Sequence, residues 1–146
     1  MSHAPPIGYS GKPVWRKLGL APHLRVLVRG APCDYATLVG ADGHAPMLVG
    51  PRAAFDFAHV FADKAARLDR EVKSLSARLP ANGVIWISWP KRSSGVRTDI
   101  SEDTVRSIAL PMGLVDIKVC AIDAIWSGLK LMWRKEARAG KPGGRA

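Results

Sequence analysis

The stretch GVIWISW at residues 83–89 constrains the fold of this chain more than any other part of its sequence. Its length suits a β-strand, and its side chains are apolar on nearly all positions of both faces. A strand of this kind lies inside a sheet that is covered on both sides. The run therefore predicts an inner strand of a mostly parallel α/β sheet.

Other strand patterns lie on both sides of this run. They are predicted at 25–30, 46–50, 55–63, 114–123 and 128–135. Short helices are predicted after Pro13 and after Asp34, and a third begins near Ser101, which is a plausible N-terminal cap. The last two strands are separated by only a few residues, so we expect them to be antiparallel neighbours.

The longest helical pattern covers residues 64–79. Leu68, Val72, Leu75 and Leu79 recur at spacings of four, three and four, which places them on one face of a helix. We expect this face to pack on the sheet. The cations of the segment are expected to face water: Lys64, Arg67, Arg70, Lys73 and Arg78.

This alternation of strands and helices defines the fold class. A strand, a helix and a second strand in succession favour a parallel sheet with right-handed crossovers. The prediction is an α/β, Rossmann-like, mostly parallel sheet with helices on both faces and a C-terminal antiparallel strand pair. The 146 residues suffice for about one domain. We expect a disordered N-terminus at 1–8, one α/β domain at 9–135 and a disordered basic tail at 136–146.

The formal net charge of +10 is the strongest compositional oddity. A positive field attracts polyanions, so an anionic small molecule, an acidic protein or nucleic acid is an expected partner. No recognisable nucleic-acid module is present, so binding of that kind is expected to be non-specific. The sequence has no apolar run of roughly 20 residues and no signal peptide, so it predicts a cytoplasmic protein outside the membrane.

The cysteines and histidines suggest no metal site. Cys33 and Cys120 are far apart without CxxC spacing, so we expect buried free thiols. The histidines and cysteines do not fall at zinc spacings, and no metal is predicted. His59 lies inside a predicted strand and is expected to be a satisfied core histidine.

The segment WPKRSSGVRTD at 89–99 is the strongest candidate for a ligand site. It follows the inner strand, and ligands of parallel sheets bind outside the carboxyl ends of the strands. Cations of the loop would contact phosphate or carboxylate, its serines and glycine would present backbone donors, and its tryptophan would offer a ring face. The candidate ligand-binding residues are Trp89, Lys91, Arg92, Ser93, Ser94, Gly95 and Arg97. The alternative is a solvated loop whose Trp89 completes the core.

Two carboxylates are considered with this segment: Asp99 is its last residue, and Asp63 ends the third predicted strand. Catalytic or cofactor-binding acids often lie at the end of such a strand, although Asp63 is equally placed to cap the next helix. Asp99 precedes a helix and is expected to stabilise its positive end. No catalytic residue is assigned from the sequence.

Two Ser-Gly stretches near the ends of the chain are secondary candidates. Residues of YSGKP and WSGLK are expected to form a structural clamp, with the N-terminal segment covering a sheet edge. A ligand site is the alternative interpretation. The residues concerned are Tyr9, Ser10, Gly11, Lys12, Trp126, Ser127, Gly128 and Lys130.

Two resemblances accompany these patterns. YSGKP at 9–13, WPKRSSGVRTD at 89–99 and DAIWSGLK at 123–130 resemble the signature of a family of short bacterial proteins catalogued as a domain of unknown function. The order of elements from residue 55 onwards resembles the second half of class I S-adenosylmethionine (SAM)-dependent methyltransferases. The second resemblance implies a SAM-binding scaffold, while the first implies no activity.

The residues expected to hold such a cofactor are missing from the sequence. A Gly-rich turn should follow the first strand and an acid should end the second. Here Gly30 stands alone before Pro32, and MLVGPR at 47–52 has no carboxylate, although Asp34 is a possible substitute. No cofactor is therefore predicted, and SAM or a nucleotide is disfavoured.

The function predicted from the sequence is a non-enzymatic or regulatory Rossmann-like module. It would bind an anionic small molecule or a protein partner at the carboxyl edge of its sheet. The first alternative is a degenerate or atypical SAM-dependent methyltransferase. The second is a basic protein that associates with nucleic acid without sequence specificity.

Overall fold

The computed structural model describes residues 13–40 and 47–142. Four α-helices occur within these residues: α1 (Val14–Leu18), α2 (Tyr35–Leu38), α3 (Ala65–Ser76) and α4 (Glu102–Ala109). Six strands accompany them: β1 (Arg25–Arg29), β2 (Met47–Leu48), β3 (Phe57–Phe61), β4 (Val84–Pro90), β5 (Leu114–Ala121) and β6 (Trp126–Trp133). No helix in the described ranges has the length and apolarity needed to cross a bilayer.

The strands form one sheet in the order β2-β1-β3-β4-β6-β5. β1 pairs in parallel with β2 and β3, and β3 pairs in parallel with β4. β6 runs antiparallel to both β4 and β5. The predicted fold class is therefore confirmed, and the inner strand predicted at 83–89 is β4, Val84–Pro90.

Both faces of the sheet are covered. On one face α3 and α4 pack through apolar side chains that include Leu68, Val72 and Val105. On the other face α1 and α2 bury Leu18 and Tyr35. Every residue of β3 is buried, and so is every residue of β4 except the half-buried Val84, so the centre of the sheet is shielded from water.

The termini of α4 follow from local sequence. Ser101 accepts a hydrogen bond from the Thr104 amide, and the Thr104 hydroxyl accepts one from the Ser101 amide. This reciprocal capping box satisfies two amides that a helix otherwise leaves without partners. Glu102 and Asp103 add negative charge in the first turn, where it favours the helix dipole.

A chain of three polar side chains crosses the core between α2 and β4. The Tyr35 hydroxyl lies 2.7 Å from His59 Nδ1, and His59 Nε2 lies 2.7 Å from Ser88 Oγ. All three residues are buried. The neutral imidazole has one donor and one acceptor nitrogen, so both contacts are hydrogen bonds in either tautomer. His59 is therefore the satisfied core histidine that the sequence predicts.

Two sequence expectations differ from the structure. Cys33 and Cys120 are free thiols as expected, but Cys33 is exposed in the loop after β1 and Cys120 is only half-buried. The tail expected to be disordered from residue 136 instead includes a 3-10 helix at Lys135–Gly140. Lys141 then packs its ammonium 3.9 Å from the centroid of the Trp133 ring, which fixes the tail against β6.

Part of the proposed clamp lies outside the described residues. Tyr9, Ser10, Gly11 and Lys12 belong to that part of the chain. The other member of the clamp, WSGLK, forms most of β6 between β4 and β5. The stretch thus forms hydrogen bonds on both of its sides within the sheet.

The buried imidazole makes stability depend on pH. Burial lowers the pKa of His59 to about 3, from an ordinary value of 6.5. Between these two pH values the unfolded chain binds the proton preferentially, so this contribution is complete above about pH 6.5 and is lost as the pH falls toward 3. We expect the difference in unfolding free energy between wild type and His59→Gln to shrink by up to about 1.4 kcal/mol per pH unit in that window. Urea denaturation at several pH values measures it.

His23→Gln is the matched control, because His23 is exposed. This variant should retain the wild-type slope, since it keeps the buried imidazole. An equal slope in His59→Gln and in wild type would contradict the prediction.

Candidate ligand-binding site

The carboxyl ends of β1 and β3 lie at the point where the strand order reverses. From β1 the chain continues to β2 on one side, and from β3 it continues to β4 on the other. Ligands of open α/β sheets bind at such a switch point. Gly30 lies at the end of β1 with φ 75°, a conformation that glycine adopts without strain.

The side chain of Arg67 lies over this glycine. A Cβ on Gly30 would lie 2.5 Å from the Phe61 carbonyl oxygen and 2.7 Å from Arg67 Nη2. Arg67 Nη1 donates to that same carbonyl at 3.0 Å. We call the position of Gly30, Phe61 and Arg67 the switch-point crevice, after the place where open α/β sheets bind ligands; its polar groups are a guanidinium and backbone.

An ion-pair network orients Arg67. Glu71 Oε2 lies 3.6 Å from Arg67 Nη2, while its other oxygen lies 2.8 Å from Arg29 Nη1. Two arginines thus share one carboxylate, so this group of three side chains carries one net positive charge. The sequence expectation that Arg67 simply faces water is therefore incomplete: it connects α3 to the ends of β1 and β3. The spacing of four residues between Arg67 and Glu71 was the sequence signal for this ion pair.

The loop after β4 is joined to the loop after β3. The Thr98 hydroxyl donates to the Asp63 carbonyl at 2.8 Å, and Asp99 Oδ1 accepts from the Ala65 amide at 2.7 Å. Asp99 therefore stabilises the positive end of α3, and not that of the helix which follows it in sequence. The carboxylate of Asp63 is exposed, and within the described ranges it caps no helix.

A cavity of about 480 Å³ opens beyond the end of β4. We call it the basic cavity; its lining residues are Trp89, Pro90, Lys91, Arg92, Gly95, Val96, Arg97, Thr98, Ile100, Ser101, Glu102 and Ser127. Three of these are cations, and the single carboxylate, Glu102, lies 2.9 Å from Arg106 Nη2. In the described part of the chain no ion pair engages Lys91, Arg92 or Arg97, so the cavity has an excess of positive charge.

The serines of the loop have a different role from the one expected. Residues Arg92–Ser94 form a 3-10 turn, in which the Ser94 amide donates to Lys91 O and the Gly95 amide donates to Arg92 O. The Ser94 hydroxyl donates to Lys91 O at 2.6 Å as well. Ser94 and Gly95 thus use their amides to shape the loop. Ser93 is exposed and does not line the basic cavity.

Trp89 belongs mainly to the core. Only 5% of its surface is exposed, and it packs with the side chains under α3 and α4. One edge still lines the basic cavity. Trp89 therefore completes the core and leaves little ring face for stacking on a ligand.

The residues of WSGLK run from the carboxyl end of β4 toward its amino end. Ser127 lines the basic cavity beside Trp89, its register partner. Trp126 packs edge-on against Phe61, with ring centroids 5.3 Å apart. Gly128 has the Trp86 ring so close that a Cβ would lie 3.2 Å from it, and Lys130 lies farther along β6. The structure thus brings Ser127 to the predicted loop and leaves Lys130 elsewhere.

Asp34 is used by α2. Its Oδ2 accepts from the Thr37 amide at 3.0 Å and from the Thr37 hydroxyl at 2.9 Å. These hydrogen bonds lower the pKa of the carboxyl. Asp34 is therefore an N-terminal cap, and this role accounts for an acid at that position.

Comparisons with known proteins identify the fold. No protein-family model and no curated protein matches the chain. A SAM-dependent methyltransferase from Aquifex aeolicus aligns with TM-score 0.58 and 14% identity, over 83% of this chain and 88% of that one. DhpI in complex with SAH aligns with TM-score 0.56 and 10% identity, over 84% and 83%. Magnesium protoporphyrin IX methyltransferase from Synechocystis PCC 6803, with bound SAM, aligns with TM-score 0.55 and 12% identity, over 80% and 73%.

At these identities the likeness shows the fold alone, which is that of SAM-dependent methyltransferases. It covers most of the chain and not only the half after residue 55. The prediction that no cofactor is used, with SAM or a nucleotide disfavoured, is contradicted: two of these neighbours carry SAM or SAH on the same scaffold. The prediction was wrong because it required one Gly-rich turn and one acid at fixed positions.

The residues at the crevice fit one end of SAM. Arg67 offers guanidinium donors to a carboxylate, and the exposed carboxylate of Asp63 lies at the end of the neighbouring strand β3. Ribose hydroxyls would need an acid in the segment after β2, but the first acid there is Asp56. Its carboxylate is already paired with Arg25 at 2.9 Å. The fit therefore involves charges from α3 and β3, and not from β2. Within the described residues, no cluster of three or more acidic, histidine or cysteine side chains is arranged to hold a metal.

The link between the two loops is testable through Asp99. Asp99→Ala removes the acceptor for the Ala65 amide and a charge at the start of α3, and should lower the unfolding free energy by about 1 kcal/mol. It should also raise amide exchange in residues 91–99. Urea denaturation and hydrogen exchange measure the two effects.

Asp103→Ala is the control, because it removes a carboxylate that is 96% exposed in the first turn of α4, with a contact of 3.4 Å to Arg106 of the same helix, and that links no two loops. It should change the unfolding free energy by less than about 0.5 kcal/mol. Equal effects of the two substitutions would show that Asp99 contributes only charge and does not hold the loop.

Proposed function

We propose that this protein is an atypical SAM-dependent methyltransferase that binds SAM at the switch-point crevice and an anionic acceptor in the basic cavity. The observation that carries the proposal is a methyltransferase fold in which a positively charged cavity opens beside the switch point. The fold alone hosts many functions. The proposal therefore depends on the charges that these particular residues bring to the edge of the sheet.

Arg67 is the proposed partner of the SAM carboxylate. In the described part of the chain Arg67 makes one hydrogen bond, to a neutral carbonyl at 3.0 Å, and a longer ion pair of 3.6 Å with Glu71, so other guanidinium donors stay available. A carboxylate accepts two such donors in a bidentate pair, which is stronger than a bond to a carbonyl. The exposed Asp63 carboxylate would accept hydrogen bonds from the amino group or from the ribose hydroxyls of the same ligand.

The basic cavity is the proposed acceptor site. Lys91, Arg92 and Arg97 lower the pKa of an acidic acceptor near them, because positive charge favours the deprotonated form. An acceptor that is already an anion is a nucleophile without help from a base. The described residues of the cavity contain no histidine, so this mode of activation suits the lining.

SAM, when bound, supplies a methyl group attached to a positively charged sulfur. The chain's own contribution is to position the two sites. The contacts from Thr98 and Asp99 to the Asp63–Ala65 segment hold the loop of the basic cavity beside the end of β3. Fixed positions of this kind convert an encounter of two molecules into a reaction within one complex.

Binding of SAM tests the proposal directly. Isothermal titration with SAM and with SAH should give saturable binding to the full chain. Arg67→Ala should weaken SAM by about tenfold or more, because a hydrogen bond to a charged group contributes roughly 1.5–3 kcal/mol. Arg70→Ala, an exposed arginine on the same helix, is the matched control and should change the affinity less than twofold.

The cofactor site would be refuted if the folded protein showed no binding of SAM or SAH at millimolar concentration. Equal weakening by Arg67→Ala and Arg70→Ala would instead refute the assignment of Arg67. Thermal unfolding of both variants verifies that they are folded, because Arg67 also pairs with Glu71.

A second candidate function is an anion-binding module without catalysis. The observation that favours it is the set of three cations without ion-pair partners among the described residues of the basic cavity. A panel of inorganic phosphate, citrate and AMP should include a ligand whose affinity falls at least tenfold when Lys91, Arg92 and Arg97 are all changed to Gln. Transfer of labelled methyl groups from SAM to a cell extract distinguishes this module from a methyltransferase.

The control removes three exposed cations that do not line the basic cavity, by changing Arg70, Lys73 and Lys135 to Gln. It lowers the net charge equally and should leave the affinity within about threefold, because long-range attraction is screened by salt. Equal losses in the two triple variants would mean that the anion responds to overall charge and not to the cavity.

Further assignments remain proposals. Membership of the short bacterial family of unknown function rests on the Ser-Gly and WPK stretches of the sequence. An acidic protein or nucleic acid is a proposed partner on the basis of charge, and a cytoplasmic location is proposed with them. Retention on DNA that disappears between low and moderate salt would support non-specific association.

A further inference from the structure

A second cavity lies at the opposite, amino end of the parallel strands. Its volume is about 270 Å³, close to the lower end of the roughly 300–1,000 Å³ typical of small-molecule pockets. We call it the lysine cavity, because Lys130 of β6 is the one cation among its described lining residues. The proposed SAM and acceptor sites use the other ends of the strands, so this cavity is separate from them.

Most of the wall is apolar. Leu18 ends α1, Leu24 precedes β1, Phe57 begins β3 and Val84 begins β4. Leu18 and Phe57 are buried in the core beneath α1. The Leu18 carbonyl accepts a hydrogen bond from Trp86 Nε1 at 2.9 Å, which holds this wall against the sheet. The cavity is therefore a preformed apolar depression.

The charge of Lys130 is not neutralised by the described residues. No hydrogen bond or ion pair in the described part of the chain involves its ammonium group, and the side chain is half-buried. The one carboxylate among the described lining residues, Asp56, is held by Arg25 through contacts of 2.9 and 3.0 Å. Another cation, Lys118, lies at the register partner position on β5.

Burial and the neighbouring cation both disfavour the protonated form of Lys130. Desolvation, and then the charge of Lys118, lower the pKa of Lys130. A cation in such surroundings gains free energy when an anion is placed beside it. An anionic group would therefore be favoured beside Lys130, and an apolar group attached to that anion would fit the apolar wall.

We propose that the lysine cavity binds a small carboxylate with an apolar body, with Lys130 as its counter-ion. A single ammonium matches the one negative charge of a carboxylate, whereas phosphate sites generally offer several donors. The apolar body replaces water along Leu24, Phe57 and Val84. The size of the cavity restricts the ligand to a short chain.

Straight-chain carboxylates test this assignment. The full chain, labelled with ¹⁵N, is titrated with hexanoate and octanoate while amide shifts are followed at Gly19 and Gly83, which line the cavity. We expect saturable shifts at these amides, and at least tenfold weaker binding of hexan-1-ol, which has the same chain without the charge. The shifts should persist when SAM is present, because the two sites lie at opposite ends of the strands.

Variants identify the counter-ion. Lys130→Met keeps the length of the side chain and removes its charge, so hexanoate should bind at least tenfold more weakly. Lys73→Met removes the same charge from α3, which covers the opposite face, and should stay within twofold of wild type. Lys130→Gln provides a second reading if Lys130→Met does not fold.

Three results would overturn the proposal. They are equal affinity for hexanoate and hexan-1-ol, unchanged hexanoate affinity in the folded Lys130 variants, and shifts that occur at Gly95 of the basic cavity instead of Gly19 and Gly83. None of these results bears on SAM binding. Failure of this proposal and failure of the proposed function are therefore distinguishable.

Discussion

The parallel pairing of β3 with β4 is the constraint on which the rest of the structure depends. These neighbouring strands are buried on both faces, so helices must cover the sheet from both sides. Parallel strands also bring all of their carboxyl ends to one edge and their amino ends to the other. Because the interior between those edges is apolar, charged groups collect at the two ends of the strands. Both candidate sites lie there for this reason.

Periodicity in the sequence was sufficient to predict the elements. The spacing of Leu68, Val72 and Leu75 predicts the buried face of α3, and the run at 83–89 predicts an inner strand. These signals are local, because side chains recur on the same face of a helix or strand at a fixed spacing. The pairing of the last two strands also follows from the short connection between them.

Contacts between loops could not be predicted in the same way. Asp99 accepts a hydrogen bond from the first residue of α3, 34 residues earlier in the sequence, although it lies just ahead of α4. Arg67 reaches the carbonyl of Phe61 because the connection from β3 to α3 is short and leaves the first turn of α3 beside the end of that strand. The packed turn after residue 135 depends likewise on Trp133 being available to Lys141. The contact of Asp99 in particular depends on the tertiary arrangement, because it joins two segments that are distant in the sequence.

The reversed strand β6 explains why one short motif contributes to both ends of the sheet. Ser127 and Lys130 are three residues apart, which corresponds to roughly 10 Å along a strand and to opposite faces of the sheet. Ser127 pairs with Trp89 near the carboxyl end of β4, while Lys130 pairs with Trp86 deeper along the same strand. The first therefore meets the loop of the basic cavity, and the second meets the apolar surface below α1. A single ligand of ordinary size beside Ser127 would not reach Lys130 through the packed sheet, so the two residues must be assigned to different sites.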